Sequence, residues 1–160
     1  MSSQSSVDSC PIGKLCQRSV VCIGPEESIA AAAERMRASH VGWLVVTERV
    51  SGSEARRAVG TLTDRDIVVC VVARRADPSA LKVGDVMTRN PLMIAEDTPL
   101  DAALSFMQDA GVRRVIVTGA TNEVVGMVSL DDVLQKISAQ MDKICGSLRN
   151  EIRTERLVRP

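Results

Sequence analysis

Two segments of the sequence place a hydroxyl residue and an aspartate three positions apart, each after a glycine-led apolar stretch. The first contains Thr63 and Asp66, and the second contains Ser129 and Asp132. At a helix start, such a hydroxyl lies beside free backbone N–H groups and the positive end of the helix dipole, which suits an anionic phosphate. The same spacing is also typical of a capping box, in which both side chains only satisfy backbone groups of their own turn. The spacing alone leaves both interpretations open.

The two segments belong to an internal repeat. A shift of 71 residues aligns residues 12–47 with residues 83–118 without a gap, and a shift of 66 residues then aligns Gly60 with Gly126. The first copy therefore carries five extra residues in one loop. Two copies of one unit imply a pseudo-two-fold arrangement in which each half buries the face that the other leaves exposed, around one core.

Hydrophobic periodicity predicts the same elements in each copy. Apolar residues at helical spacing predict amphipathic helices around residues 29–36 and 100–107. Runs of β-branched residues predict strands at 41–47 and 112–118, each joined as a hairpin to a shorter strand. The shorter strands are expected near 59–62 and 124–128, and the helices that follow them near 63–74 and 129–141. Each unit therefore reads strand, helix, strand, strand, helix.

The residues Gly60-Thr-Leu-Thr-Asp-Arg-Asp66 and Gly126-Met-Val-Ser-Leu-Asp-Asp132 resemble the G-h-h-[ST]-x-x-D signature of cystathionine-β-synthase (CBS) motifs. The resemblance covers residues 10–147. It implies a mixed α/β (α+β) fold of two tandem β-α-β-β-α CBS motifs about a pseudo-two-fold axis. We divide the chain into a flexible leader (1–9), CBS motif 1 (10–80), CBS motif 2 (81–145) and a charged C-terminal tail (146–160).

The resemblance also implies a ligand, because tandem CBS motifs bind adenosine-containing molecules in clefts between the two motifs and commonly form dimers. By this analogy, Thr63 and Ser129 contact phosphate, and Asp66 and Asp132 accept hydrogen bonds from the ribose. Adenine is expected to lie against the segments that precede the first helix of each repeat. These segments and the neighbouring signature positions are Val20, Val21, Cys22, Pro91, Leu92, Met93, Arg65 and Asp131.

The residues that open the second strand of each copy complete the expected sites, and they differ between the copies. The first copy has Gly42 and Trp43, whereas the second has Arg113 and Arg114. Only the second copy thus supplies arginines for phosphate, so the two sites are not expected to be equivalent. Alternation along a strand predicts that only one of the two arginines faces inward. Trp43 is either a core anchor or a wall on which adenine stacks.

Composition excludes several classes of function. Lys plus Arg and Asp plus Glu each number 20, so no overall field attracts nucleic acid, and aromatic residues for stacking on bases make up only 1%. The five cysteines form no C-x-x-C pair and accompany one histidine, which argues against a metal site or a disulfide framework. No nucleophile or phosphate-loop motif is present. The missing motifs predict a non-catalytic protein. Apolar runs too short to cross a bilayer, together with a polar start, predict a cytoplasmic one.

We therefore expect a cytoplasmic regulatory module that senses adenine nucleotides (AMP, ADP or ATP) and needs no cofactor. It is expected to form a homodimer and to act on an effector protein that the sequence does not identify. One alternative is a dimerisation scaffold whose clefts hold no ligand. Another is a binding module for S-adenosylmethionine or NAD.

Overall fold

A computed structural model describes residues 10–158, and it describes side chains as far as residue 147. The predicted leader lies outside this range, as do the side chains of the arginines of the tail. The strands are β1 (Cys22–Ile23), β2 (Trp43–Arg49), β3 (Arg56–Thr63), β4 (Thr88–Arg89), β5 (Met93–Ala95), β6 (Arg114–Thr118) and β7 (Val124–Ser129). The α-helices are α1 (Ile29–Ser39), α2 (Asp64–Ile67), α3 (Val83–Val86), α4 (Leu100–Ala110) and α5 (Leu130–Val158).

The strands form two sheets, with the orders β1-β2-β3-β4 and β5-β6-β7. In each repeat the first strand runs parallel to the second, because a helix connects them: β1 pairs with β2 around α1, and β5 pairs with β6 around α4. β2 and β3 form an antiparallel hairpin. The predicted mixed α/β fold and the element order of each repeat are confirmed.

The start of each repeat pairs with the sheet of the other repeat. β4, which opens the second repeat, adds to the first sheet beside β3, with Gly60 opposite Arg89. Gln17, near the start of the first repeat, bridges to Met127 of β7 in the same antiparallel sense. The sequence patterns did not predict this exchange, because the short segments that open the two repeats have no hydrophobic periodicity. It is the structural form of the pseudo-two-fold relation that the repeat predicts.

β2 lies at the centre of the core, and four consecutive residues, Leu44 to Thr47, are buried. Leu44 and Val46 pack with α1 residues in one cluster. Val45, which points to the other face, packs with Ala58 of β3 and Ile116 of β6. A strand covered on both faces is apolar without alternation, as this one is. The cluster around Val45 joins residues of both repeats, as one shared core requires.

Two of the predicted helices differ from expectation. The helix predicted for residues 63–74 is a single α-turn, α2, followed by a π-helix over Val68–Val72, where a run of valines crowds a regular helix. The helix predicted to end near residue 141 continues as α5 to Val158, through the region assigned to the charged tail. Gly146 does not interrupt it, since one glycine costs a helix only about 1 kcal/mol.

The described part of the chain divides into two compact units on either side of the bond between residues 128 and 129, and the second consists of Ser129 and α5. The boundary between the motifs at residues 80 and 81 stays a sequence prediction. No helix among residues 10–158 is both long and apolar enough to cross a membrane.

Candidate functional site

Thr63 and Asp66 form a complete capping box at the start of α2. The Thr63 amide donates to Asp66 Oδ2 over 2.9 Å, and the Thr63 hydroxyl donates to the same oxygen over 2.7 Å. The Asp66 amide donates to Thr63 Oγ1 over 3.0 Å. The capping interpretation is therefore realised, but it does not consume the whole carboxylate. Within the described residues, Asp66 Oδ1 has no hydrogen-bond partner.

Ser129 and Asp132 repeat this geometry at the start of the second unit. The Ser129 amide donates to Asp132 Oδ2 over 2.8 Å, and the Asp132 amide donates to Ser129 Oγ over 3.2 Å. Ser129 is buried and Asp132 is half-buried, whereas Asp131 is exposed. The ligand contacts expected of these three residues stay predictions.

A cleft of about 920 Å³ lies beside Thr63, within the first unit. Its walls come from both repeats. The first repeat contributes Trp43, Thr63 and Arg65, and the second contributes the segments 91–93 and 110–114. The cleft thus brings together eight of the expected site residues: Trp43, Thr63, Arg65, Pro91, Leu92, Met93, Arg113 and Arg114.

Trp43 belongs both to the core and to the cleft wall, and its stacking on adenine stays a prediction. It is half-buried against the cluster of Val45, Ala58 and Ile116, and it also lines the cleft. Met93 packs against the same cluster from the second repeat. One wall of the cleft is therefore apolar and is anchored in the shared core. The Trp43 ring in this wall is held in place by that packing.

The cationic side of the cleft holds Arg65, Arg113 and Arg114. Both Arg113 and Arg114 line it. β6 begins at Arg114, so Arg113 precedes the strand and strand alternation does not apply to the pair. No acidic residue is among the described residues that line the cleft. Three arginines in a lining that holds no acidic residue favour an anionic ligand.

Five other predicted site residues do not line this cleft. Val20 and Cys22 pack against the cluster of Val45, and Val21 packs against the cluster of Leu44. Gly42 is exposed, and its carbonyl accepts the Asp64 amide over 3.1 Å. Asp66 is half-buried and is hydrogen-bonded to Thr63, which does line the cleft. Their proposed ligand contacts also stay predictions.

The sequence patterns missed several polar residues of the cleft, of which Asn90 is the clearest. Asn90 adopts a left-handed backbone conformation (φ 52°) directly before the Pro91 segment, and it lines the cleft with Thr61 and Thr88. An Asn-Pro pair is a turn signal that could have drawn attention to it. Thr61 and Thr88 could not have been found, because they are brought together by pairing between β3 and β4.

The cleft is lined by both repeats, and the opening segment of each repeat pairs with the sheet of the other. These features define the class of protein, a two-repeat ligand-binding module. The sequence pattern of the CBS domain matches residues 12–73 and 83–139. The chain therefore belongs to the CBS-domain family.

Known proteins of similar sequence and structure agree. The protein YlbB of Bacillus subtilis is 30% identical over 79% of this chain and 80% of its own length. An uncharacterized protein of Methanopyrus kandleri is 28% identical over 78% of this chain. The matched region covers 61% of the length of that relative. Among solved structures, a CBS domain protein of Pyrobaculum aerophilum complexed with AMP shares 25% identity and a TM-score of 0.66, over 76% of this chain and 88% of the other.

Proposed function

We propose that this protein is a regulatory module that senses adenosine-containing nucleotides, AMP, ADP or ATP, in the cleft between its repeats. The single observation that carries the proposal is the composition of that cleft. An apolar wall at Trp43 and Met93 lies in the same cleft as three arginines, and the described lining holds no acidic residue. The volume falls within the range of about 300–1,000 Å³ typical of small-molecule sites. A nucleotide carries the complementary pair of features, a flat base and an anionic phosphate.

The cleft suggests an orientation for the nucleotide. Adenine lies between Trp43 and the Pro91–Met93 segment, and the phosphates lie at Arg113 and Arg114. The ribose is assigned to Asp66 Oδ1, the carboxylate oxygen that the capping box leaves unused. The AMP bound to the Pyrobaculum relative supports an adenosine-containing ligand.

The proposed output is regulatory and non-catalytic. Because both repeats line the cleft, a nucleotide that contacts Trp43 and Arg114 together bridges them and biases their relative position. A partner that recognises one arrangement better than the other would then respond to occupancy. The proposed effector is a cytoplasmic protein that binds the nucleotide-loaded module and the empty module with different affinities.

Calorimetry with AMP, ADP, ATP, S-adenosylmethionine and NAD tests the proposal. The double substitution Arg113→Ala and Arg114→Ala should weaken ATP binding by more than tenfold and adenosine binding little, because the arginines contact only phosphate. Arg37→Ala, an exposed arginine of α1, is the matched control and should leave affinity unchanged. No binding of any compound in the panel would favour the ligand-free scaffold instead.

We also propose that the protein forms a homodimer. In the first unit, Val68, Val69 and Val72 are 56%, 52% and 63% exposed on the π-helix after α2. In the second unit, Leu134, Ile137, Met141 and Ile144 are exposed along α5. Rows of exposed apolar residues on separate helical segments are unusual for a monomer.

Sedimentation tests this assembly. Val68→Glu together with Val72→Glu should convert the dimer to a monomer, whereas Val50→Glu, an exposed valine after β2, should not. A monomeric wild-type protein at micromolar concentration would contradict the proposal.

A further inference from the structure

A second pocket of about 330 Å³ lies near the far end of the β2-β3 hairpin. Trp43 pairs with Thr63 at the cleft end of this hairpin, and Arg49 pairs with Arg56 at the other end. Six residues of strand separate Trp43 from Arg49, which is about 20 Å at 3.3 Å per residue. The second pocket is therefore distinct from the nucleotide cleft. Its lining includes Arg35, Arg49, Arg56, Glu27 and Thr47.

The pairing of Arg49 with Arg56 is electrostatically unfavourable by itself. Residues directly opposite each other on antiparallel strands hold their side chains on one face about 5 Å apart at Cβ, and like charges there are destabilising. Neither guanidinium has an acidic partner among the residues whose side chains are described. The arrangement makes physical sense if an anion occupies the space between them.

The third guanidinium of the pocket is held in place. Arg35 Nη2 donates to Glu27 Oε2 over 2.7 Å, and Arg35 Nη1 donates to the Cys22 carbonyl over 2.7 Å. Three arginines and one glutamate give the lining a net charge of two positive units. A compact dianion matches both this charge and the planar donor geometry of arginine.

The second repeat shows that the fold does not need these charges. At the equivalent positions, Arg35 is replaced by Phe106, Arg49 by Ala120 and Arg56 by Asn122. The hairpin arms that carry Arg49 and Arg56 are also specific to the first repeat, because β2 has seven residues where β6 has five. The second repeat folds the same elements without them, so the arginine cluster is not a requirement of the fold.

We propose that Arg35, Arg49 and Arg56 form a second anion site, for phosphate or the phosphate group of a small monoester. Thr47, which is buried in the same pocket, offers a hydroxyl as an additional donor. The site is independent of the nucleotide cleft, so it stands whether or not nucleotides bind there.

Nuclear magnetic resonance of the labelled full chain tests the site residue by residue. Inorganic phosphate and glycerol phosphate are titrated at constant ionic strength against chloride. Both should shift the amide signals of Gly24, Thr47, Arg49 and Arg56. Tighter binding of glycerol phosphate would assign the site to a monoester, and equal binding would assign it to free phosphate.

The substitutions separate a binding role from a structural one. Arg49→Gln with Arg56→Gln should weaken phosphate binding at least about tenfold while the denaturation midpoint stays unchanged or rises, because the repulsion is removed. Arg57→Gln is the matched control, since Arg57 lies in the same hairpin arm but pairs with Glu48. Equal weakening by Arg57→Gln, shifts no larger than those from chloride, or shifts confined to residues 111–113 would each overturn the proposal.

Discussion

Gln17 and Met127 exchange two backbone hydrogen bonds, 2.9 Å from the Gln17 amide and 3.0 Å from the Met127 amide. The pair fixes the start of the first repeat to the sheet of the second. The mirror contact, in which β4 pairs with β3, does the same in the opposite direction. Both contacts need a close backbone approach, and a glycine lies at each.

Alanine at these glycines should destabilise the protein. A Cβ at Gly60 would lie 2.8 Å from the Thr88 carbonyl oxygen, and one at Gly126 would lie 2.6 Å from that of Gln17. Gly60→Ala and Gly126→Ala are each expected to lower the free energy of unfolding by about 1–3 kcal/mol, as overpacking does. Urea denaturation measures the loss.

Gly146→Ala is the control for these two substitutions. Gly146 lies within α5 with no atom near its missing Cβ, so alanine there should raise stability by about 0.5–1 kcal/mol through helix propensity. Unchanged stability in Gly60→Ala and Gly126→Ala would mean that the Gln17–Met127 contact and the pairing of β4 with β3 do not hold the repeats together.

Removing the Thr63 hydroxyl should affect both stability and binding. Thr63→Ala deletes the cap of α2 and should cost about 1 kcal/mol of unfolding free energy. Ser28→Ala deletes the equivalent cap of α1, where Ser28 accepts the Ala31 amide, and should cost a similar amount. Calorimetry distinguishes the two variants, because only Thr63 lines the cleft and only its loss should weaken nucleotide binding. Equal affinities in both variants would reduce Thr63 to a cap.

The hairpin between β6 and β7 contains a carboxyl group with a displaced titration. The Thr121 hydroxyl donates to Glu123 Oε2 over 2.6 Å and holds the pKa of Glu123 below its ordinary value. Because this pKa is lowered by folding, the associated stabilisation of the turn is present above the ordinary glutamate pKa. It is lost as the pH falls through the lowered value.

Carboxyl carbon shifts followed against pH measure the titration of Glu123. Thr121→Ala should move the Glu123 midpoint upward, and Thr121→Ser, which keeps the hydroxyl, should not. A midpoint that stays low in Thr121→Ala would assign the effect to backbone amides instead.

Trp43 provides an intrinsic probe of the cleft, since it is the only tryptophan of the chain. Its ring is anchored against Val45 and Ile116 while it lines the cleft, so adenine binding should change its emission. Inorganic phosphate, which has no base to stack, should leave the emission unchanged. If calorimetry shows saturation by a nucleotide and the emission does not move, Trp43 is a core anchor without contact to adenine.

The sequence was sufficient to predict whatever depends on local pattern. The capping boxes at Thr63 and Ser129 follow from spacing, and the hairpins and the helices α1 and α4 follow from periodicity. The repeat predicted that both copies would share a core. The cluster of Val45 and Ile116 contains residues of both copies and agrees with this prediction.

What could not be predicted depends on contacts between distant segments. The meeting of Thr63 with Arg113 and Arg114 follows from how the two repeats are arranged in space, which no periodicity records. The extension of the first hairpin to Arg49 and Arg56 was also missed, since exposed charged residues do not have the apolar pattern of a strand.

The most direct test is a crystal structure of the protein grown with AMP. We predict density for the nucleotide in the cleft, with adenine beside Trp43 and the Pro91–Met93 segment and phosphate at Arg113 and Arg114. An empty cleft at saturating AMP, or AMP bound only at another surface, would contradict it.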